Sequence, residues 1–187
     1  MRQEDIPEKR LIALAKEGDM EAFESLVRRY QKSIYYLCHR MTGAHQSADD
    51  LSQEAFIKAY LSLSSFRDGM NFFTWLRKIA VNNNLNYIKA NKREELLGEK
   101  EDTIPGSASS TNQELPPDRL QRNRLELKFK EALKALPAKQ RLIFILRFYE
   151  NQSYEGISQL LGLPKGTVMS RLNRARKKLK ALLADYI

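Results

Sequence analysis

SYEGISQLLGLPKGTVMSRLNRARKKLK, residues 153–180, is the stretch on which the fold turns. Ser153 precedes a short apolar-periodic run ending at Leu161, which is the place and residue type of a helix N-cap. Gly162 then supplies the backbone freedom of a tight turn. Beyond it, Val168, Leu172, Ala175 and Leu179 recur at spacings of 4, 3 and 4, which puts them on one inward face of a second helix. The pattern is that of a helix-turn-helix.

Residues 165–180 hold seven Lys/Arg and no acid. With the apolar stripe turned inward, Lys165, Arg171, Arg174 and Lys178 fall on other faces, together with Thr167, Ser170 and Asn173. Long cations reach phosphates, and Arg and Asn also read purine edges through paired hydrogen bonds in the major groove. A solvated basic helix end favoured by the macrodipole would account for Arg176, Lys177, Lys178 and Lys180. It leaves Lys165 and Arg171 unexplained, so contact with duplex DNA is the expectation. The pattern gives no reason for Met169 on the exposed side, or for Gly156 inside a helix.

The whole-chain charge agrees. Formal net charge is +9 and the pI near 9.6, which favours an acidic partner. Residues 1–95 carry 15 Lys/Arg against 13 Asp/Glu, residues 96–122 carry 3 against 5, and residues 123–187 carry 14 against 5. The whole excess therefore sits in the last third. A single cysteine, Cys38, excludes an internal disulfide framework, and with only His39 and His45 beside it no metal or other cofactor is expected. The charged start MRQEDIPEKR lacks the apolar core of a signal peptide, and no apolar run approaches the roughly 20 residues that span a bilayer. A reducing cytoplasm is the expected location.

Working outward, helical periodicity dominates. Leu11, Leu14 and Ala15 open one amphipathic helix. Ala22, Phe23, Leu26, Val27 and Tyr30 continue in a second that runs toward Met41, with Gly43 as its stop. Ser47 and Asp50 have the spacing of a capping box that would start the next helix. In residues 98–119, ten of 22 are Gly, Pro, Ser or Thr, and few large apolar side chains offset the entropy of ordering. The fold expected is all-α, with two helical domains, 1–97 and 123–187, joined by a flexible linker, 98–122. Such a tether has a relaxed span of about 25–28 Å and fixes no geometry between the domains.

NFFTWLRKIAVNNN, residues 71–84, gathers aromatic faces, cations and amides. Single-stranded nucleic acid needs these groups: flat faces for unstacked bases, charge for the backbone, and donors and acceptors for base edges. Trp75, Leu76 and Ile79 read equally as plain core. Asn82, Asn83, Asn84 and Asn86 are poor helix formers and invite a contact role. Phe66, Asn71 and Phe72 are placed to line a pocket for a flipped base.

Taken together, these segments resemble the bacterial RNA polymerase sigma factors of the short, extracytoplasmic-function (ECF) type, which keep only sigma domains two and four. The resemblance covers almost the whole chain. ADDLSQEAFIKAY at 48–60 is similar to the helix that docks on the clamp coiled coil of the polymerase beta-prime subunit. FFTWLRKIAVN at 72–82 follows the family pattern F-x-x-W-L-x-x-I-A-x-N of the strand-opening, minus-ten-reading region. Residues 153–179 resemble the domain-four helix-turn-helix that reads the minus-35 element.

The resemblance implies roles residue by residue. Asp50, Leu51, Gln53, Glu54 and Phe56 would contact core polymerase, where the residues alone read as an ordinary amphipathic helix. Phe72, Trp75, Arg77, Lys78 and Asn82 would lie at or beside the melted strand. Many relatives carry an aliphatic residue where Asn83 stands and Asp where Asn86 stands, so minus-ten preference transfers less directly. The implied partners are core RNA polymerase, through the beta-prime clamp and the beta flap, promoter DNA, and an anti-sigma factor. The implied activity is binding rather than catalysis. An autonomous dimeric regulator, a nuclease or a scaffold would instead need heptads, a second acidic cluster, or none of the nucleic-acid-directed groups.

Overall fold

The computed structural model describes residues 6–97 and 117–186, and these are helical with no strand. The first domain comprises α1 (Glu8–Lys16), α2 (Met20–Thr42), α3 (His45–Leu61) and α4 (Phe72–Leu97); the second comprises α5 (Pro117–Lys134), α6 (Ala138–Phe148), α7 (Tyr154–Leu161) and α8 (Lys165–Leu182). Helix α5 begins inside the span assigned to the linker. The rest of that expectation, residues 98–116, lies outside the described residues.

In the first domain, Asp19 caps α2 by accepting from the Ala22 N–H at 3.0 Å. Gly43 closes that helix at φ 73° and donates its N–H to the His39 carbonyl, so the expected glycine stop is present. The expected capping box is not. Helix α3 starts earlier, at His45, and the Ser47 hydroxyl bonds the Tyr87 hydroxyl at 2.7 Å instead of the local backbone. Tertiary packing against α4 has taken the group that a cap would use. Leu26, Ile34, Leu37 and Met41 of α2, Ala55 and Ala59 of α3, and Leu76 and Ala80 of α4 form the core.

The second domain forms around α6, whose Leu142, Ile143, Ile145 and Leu146 are buried. Ser153 caps α7, its hydroxyl accepting from the Gly156 N–H at 2.9 Å. A Cβ at Gly156 would stand 3.3 Å from both the Ser153 Oγ and the Gln152 Oε1, so glycine relieves crowding at the cap. Gly162 ends α7 at φ 62°, the left-handed conformation that glycine adopts without steric cost. Val168, Leu172, Ala175 and Leu179 of α8 are all buried, as the spacing predicts.

The two domains touch. Helices α2 and α4 meet α6 and α7, and Glu150, just past α6, lies between Arg40 of α2 and Arg77 of α4. Among the described residues no helix is long and apolar enough to cross a membrane.

Candidate nucleic-acid interface

Burial of the α8 stripe decides what that helix presents. Lys165, Ser170, Asn173, Arg174 and Lys178 are exposed, and Thr167 and Arg171 are half-buried. Thr167, Arg171, Arg174 and Lys178 follow one line along the helix at spacings of 4, 3 and 4. Ser170 and Asn173 run beside them. Two of these side chains carry local ties: the Ser170 hydroxyl donates to the Thr167 carbonyl at 3.1 Å, and Lys165 stands 4.0 Å from Glu155. All seven expected minus-35 residues thus belong to one helix, with long cations free to reach a duplex. Met169 shares the exposed side, and nothing in the structure explains it.

Helix α4 is sorted differently. Asn71 caps it, its Oδ1 accepting from the Thr74 N–H at 2.8 Å. Phe66 and Phe72 do not line an open pocket, as the sequence had suggested: Phe66 is 4% and Phe72 0% exposed. They pack edge-on and tilted against the half-buried Trp75, with centroids 5.2 and 5.6 Å from its ring. Apolar burial of the rings outweighs their exposure as base platforms, and Trp75 alone of the three reaches solvent. Beside them Tyr30 and Phe73 stack at 5.0 Å and 11°.

The amides divide in two. Asn83 is buried and accepts from the Lys58 Nζ at 2.8 Å. Asn84, fully buried, donates to the Cys38 Sγ at 3.1 Å and to the Ala80 carbonyl at 2.8 Å. These two tie α4 to α3 and α2, so a contact role does not fit their placement in this structure. Asn82 and Asn86 are exposed. With Trp75 and Lys78 they form a line at spacings of 3, 4 and 4, the solvent-facing part of the expected minus-ten residues in α4. Arg77 is only 5% exposed, lies over the Phe73 ring at 4.3 Å, and points its Nη2 at Glu150 from 3.7 Å. Burial pulls its pKa below the usual guanidinium range, and Glu150 opposes the shift.

The expected polymerase face lies on α3. Asp50 and Gln53 are exposed, Glu54 is half-buried and 2.6 Å from Lys58, and Leu51 is buried, holding the helix to the core. Gln53 and Phe56 border a cleft of about 550 Å³ between α2 and α3, whose opposite wall is Gln31, Tyr35 and Tyr36. Sequence reasoning missed the α2 wall. Its signal was a tyrosine pair one turn beyond Gln31, of which Tyr36 is exposed and Tyr35 half-buried.

Fold and surfaces define a two-domain helical protein with a basic helix-turn-helix. Residues 26–94 match the family described as Sigma-70 region 2, and residues 126–179 match Sigma-70, region 4. The ECF RNA polymerase sigma factor SigW of Bacillus subtilis is 34% identical over 181 residues, covering 95% of this chain and 97% of that protein. The RNA polymerase sigma-H factor of Pseudomonas aeruginosa is also 34% identical, over 96% of this chain and 95% of its own. Among solved structures, the sigma factor RpoE of Bartonella quintana, in complex with the anti-sigma factor NepR, is 27% identical with a TM-score of 0.64, over 88% of this chain and 98% of that one. CnrH, in complex with the cytosolic domain of CnrY, shares the fold at 24% identity and a TM-score of 0.66, over 95% of this chain and 97% of that one. The chain belongs to the ECF family of RNA polymerase sigma factors, and its function is promoter-specific transcription initiation.

Proposed function

We propose that the chain acts in the cytoplasm as a non-catalytic specificity subunit that binds core RNA polymerase and reads two promoter elements, one with each domain. The observation that carries this is α8: an inward apolar stripe with an outward line of Thr167, Arg171, Arg174 and Lys178 on a helix-turn-helix. That helix lies in the major groove of the minus-35 duplex. Domain four also meets the beta flap.

Domain two works on the other element. Trp75 stacks an unpaired minus-ten base, Lys78 meets the strand backbone, and Asn82 and Asn86 bond base edges. Phe66, Phe72 and Asn83 hold that surface from behind, and Asn71 caps the helix that carries it. Asp50, Gln53, Glu54 and Phe56, seated by Leu51, dock on the beta-prime clamp together with Tyr35 and Tyr36. The two elements lie about one to two DNA turns apart, or about 35–70 Å, so polymerase must hold the domains at that separation. An anti-sigma factor competes for the cleft beside Asp50–Phe56 or for the basic face of α8. The Bartonella quintana relative was solved with such an inhibitor.

Runoff transcription with purified core polymerase on a library of promoter fragments tests the reading. Initiation from a discrete sequence class, lost with Arg171→Ala, is expected. Unchanged initiation, with a symmetric duplex site protected by the protein alone, would make it an autonomous regulator. Uninhibited, simultaneous binding of inhibitor and polymerase would refute the competition.

A further inference from the structure

Where the domains meet, one carboxylate is shared by two guanidinium groups. The Glu150 Oε1 lies 3.4 Å from the Arg40 Nη1, and its Oε2 lies 3.7 Å from the Arg77 Nη2. The turn that presents Glu150 is tightly built. Asn151 takes φ 50°, a left-handed conformation that asparagine tolerates better than most residues, and the Gln152 N–H donates to the Leu146 carbonyl at 2.9 Å. Aromatic faces hold the cations in place: Arg40 lies 4.5 Å from the Tyr149 ring, and Arg77 lies 4.3 Å from Phe73.

The carboxylate underfills this site. Tight charge-assisted contacts run about 2.7–2.9 Å, and both observed distances are longer. Arg77 is buried, and its Nε has no hydrogen-bond partner. A buried guanidinium with an unused donor suits a ligand with more oxygens at a wider spread. A phosphodiester has that shape, and Arg binds it through parallel N–H contacts. Arg77 shares helix α4 with the line of Trp75, Lys78, Asn82 and Asn86 but faces another side of it, so a strand reaching both would pass around the helix.

We propose that Arg40 and Arg77 form an anion site for the phosphodiester backbone of single-stranded promoter DNA, and that Glu150 occupies it in the free chain as an intramolecular stand-in for phosphate. This rests on the minus-ten reading of α4. Domain four then does two things: it reads its own element when extended on polymerase, and when docked it covers the Arg40–Arg77 anion site, while Lys78, Asn82 and Asn86 stay exposed. Strand binding by the free protein is reduced by the fraction of molecules that are closed.

The test uses the full chain and a fluorescein-labelled oligothymidylate about 20 nucleotides long, with fluorescence anisotropy at fixed salt. Glu150→Gln should bind about tenfold tighter than the native chain, whereas Glu131→Gln, an equal charge change on exposed α5, should stay within about twofold. Small-angle scattering should show a larger radius of gyration for Glu150→Gln alone. Adding Arg40→Ala to Glu150→Gln should remove the gain in affinity. Equal binding by Glu150→Gln and Glu131→Gln overturns the proposal even if runoff initiation and strand opening are intact. Expansion of Glu150→Gln without tighter DNA binding also overturns it, and leaves the site to an acidic protein segment. If neither the native chain nor any variant binds the strand and Trp75→Ala changes nothing, the minus-ten reading fails and takes the proposal with it.

Discussion

Helices α4 and α8 both carry aromatic or apolar residues among cations and amides, yet the fold sorts them by different rules. Helix α8 packs on one side, so its stripe of Val168, Leu172, Ala175 and Leu179 goes in and none of its polar residues is buried. Helix α4 packs against α2 and α3 and also meets α6 and α7, so polar side chains are enclosed as well: Arg77, Asn83 and Asn84 are buried. A helix whose partners all lie on one side, as α5, α6 and α7 do for α8, shows its function on its surface. A helix enclosed on more than one side hides part of its chemistry inside contacts.

The sharpest way to break this contrast is at Phe72. If it is core, Phe72→Ala should cost about 3–5 kcal/mol in chemical denaturation, whatever DNA is present. Native-like stability with a selective loss of strand opening would restore it as a base-contacting ring. Leu172→Ala should cost about 2–5 kcal/mol by the same mechanism, and should abolish duplex binding through loss of the helix rather than of a contact.

Next in size is Asn84, whose amide bonds Cys38 and the Ala80 carbonyl in the core. Asn84→Ala should lower stability by about 1–3 kcal/mol, read by denaturant titration. The neighbouring Asn82→Ala should change it by less than about 0.5 kcal/mol and act only on strand binding. Equal effects from the two would mean that α4 has no such division.

On α8, Arg174→Ala should leave stability within about 0.5 kcal/mol and reduce the salt slope of duplex binding by about one. An unchanged slope would remove Arg174 from the phosphate contacts.

The smallest effect expected is at His39, where burial first, then His45, Lys130, Lys134 and Arg40, hold the pKa below the ordinary 6.5. The unfolded chain therefore takes up this proton first as pH falls. Stability from this group is fully present above 6.5 and declines as pH falls through that value toward the depressed one. His39→Gln should flatten the Tm profile in that window. Two of the named cations belong to α5 of the other domain, so Glu150→Gln should raise the His39 pKa measured by NMR.

How much was legible follows from the same contrast. Periodicity placed the α8 stripe, its cap at Ser153 and its turn at Gly162, because each depends on residues a few positions apart. Gly43 as the stop of α2 was equally local. Ser47 failed as a cap because Tyr87, 40 residues away, takes its hydroxyl. Phe66 and Phe72 look the same in sequence whether a ring meets a base or another ring. Glu150 carried no signal at all, since its meaning depends on Arg40 and Arg77, which lie in the other domain. Polar burial is a tertiary property, and no spacing along one helix encodes it.

In the proposed function, domain two holds melted DNA while domain four holds duplex, each on polymerase. Permanganate mapping of unpaired thymines, in complexes of core polymerase with this chain on a promoter it initiates from, tests this most directly. The native chain should give reactive thymines in one short stretch, with the upstream duplex protected. Trp75→Ala should keep the upstream protection and lose the reactive thymines. Reactive thymines at native strength with Trp75→Ala would contradict the account, because strand capture would then lie elsewhere than on α4.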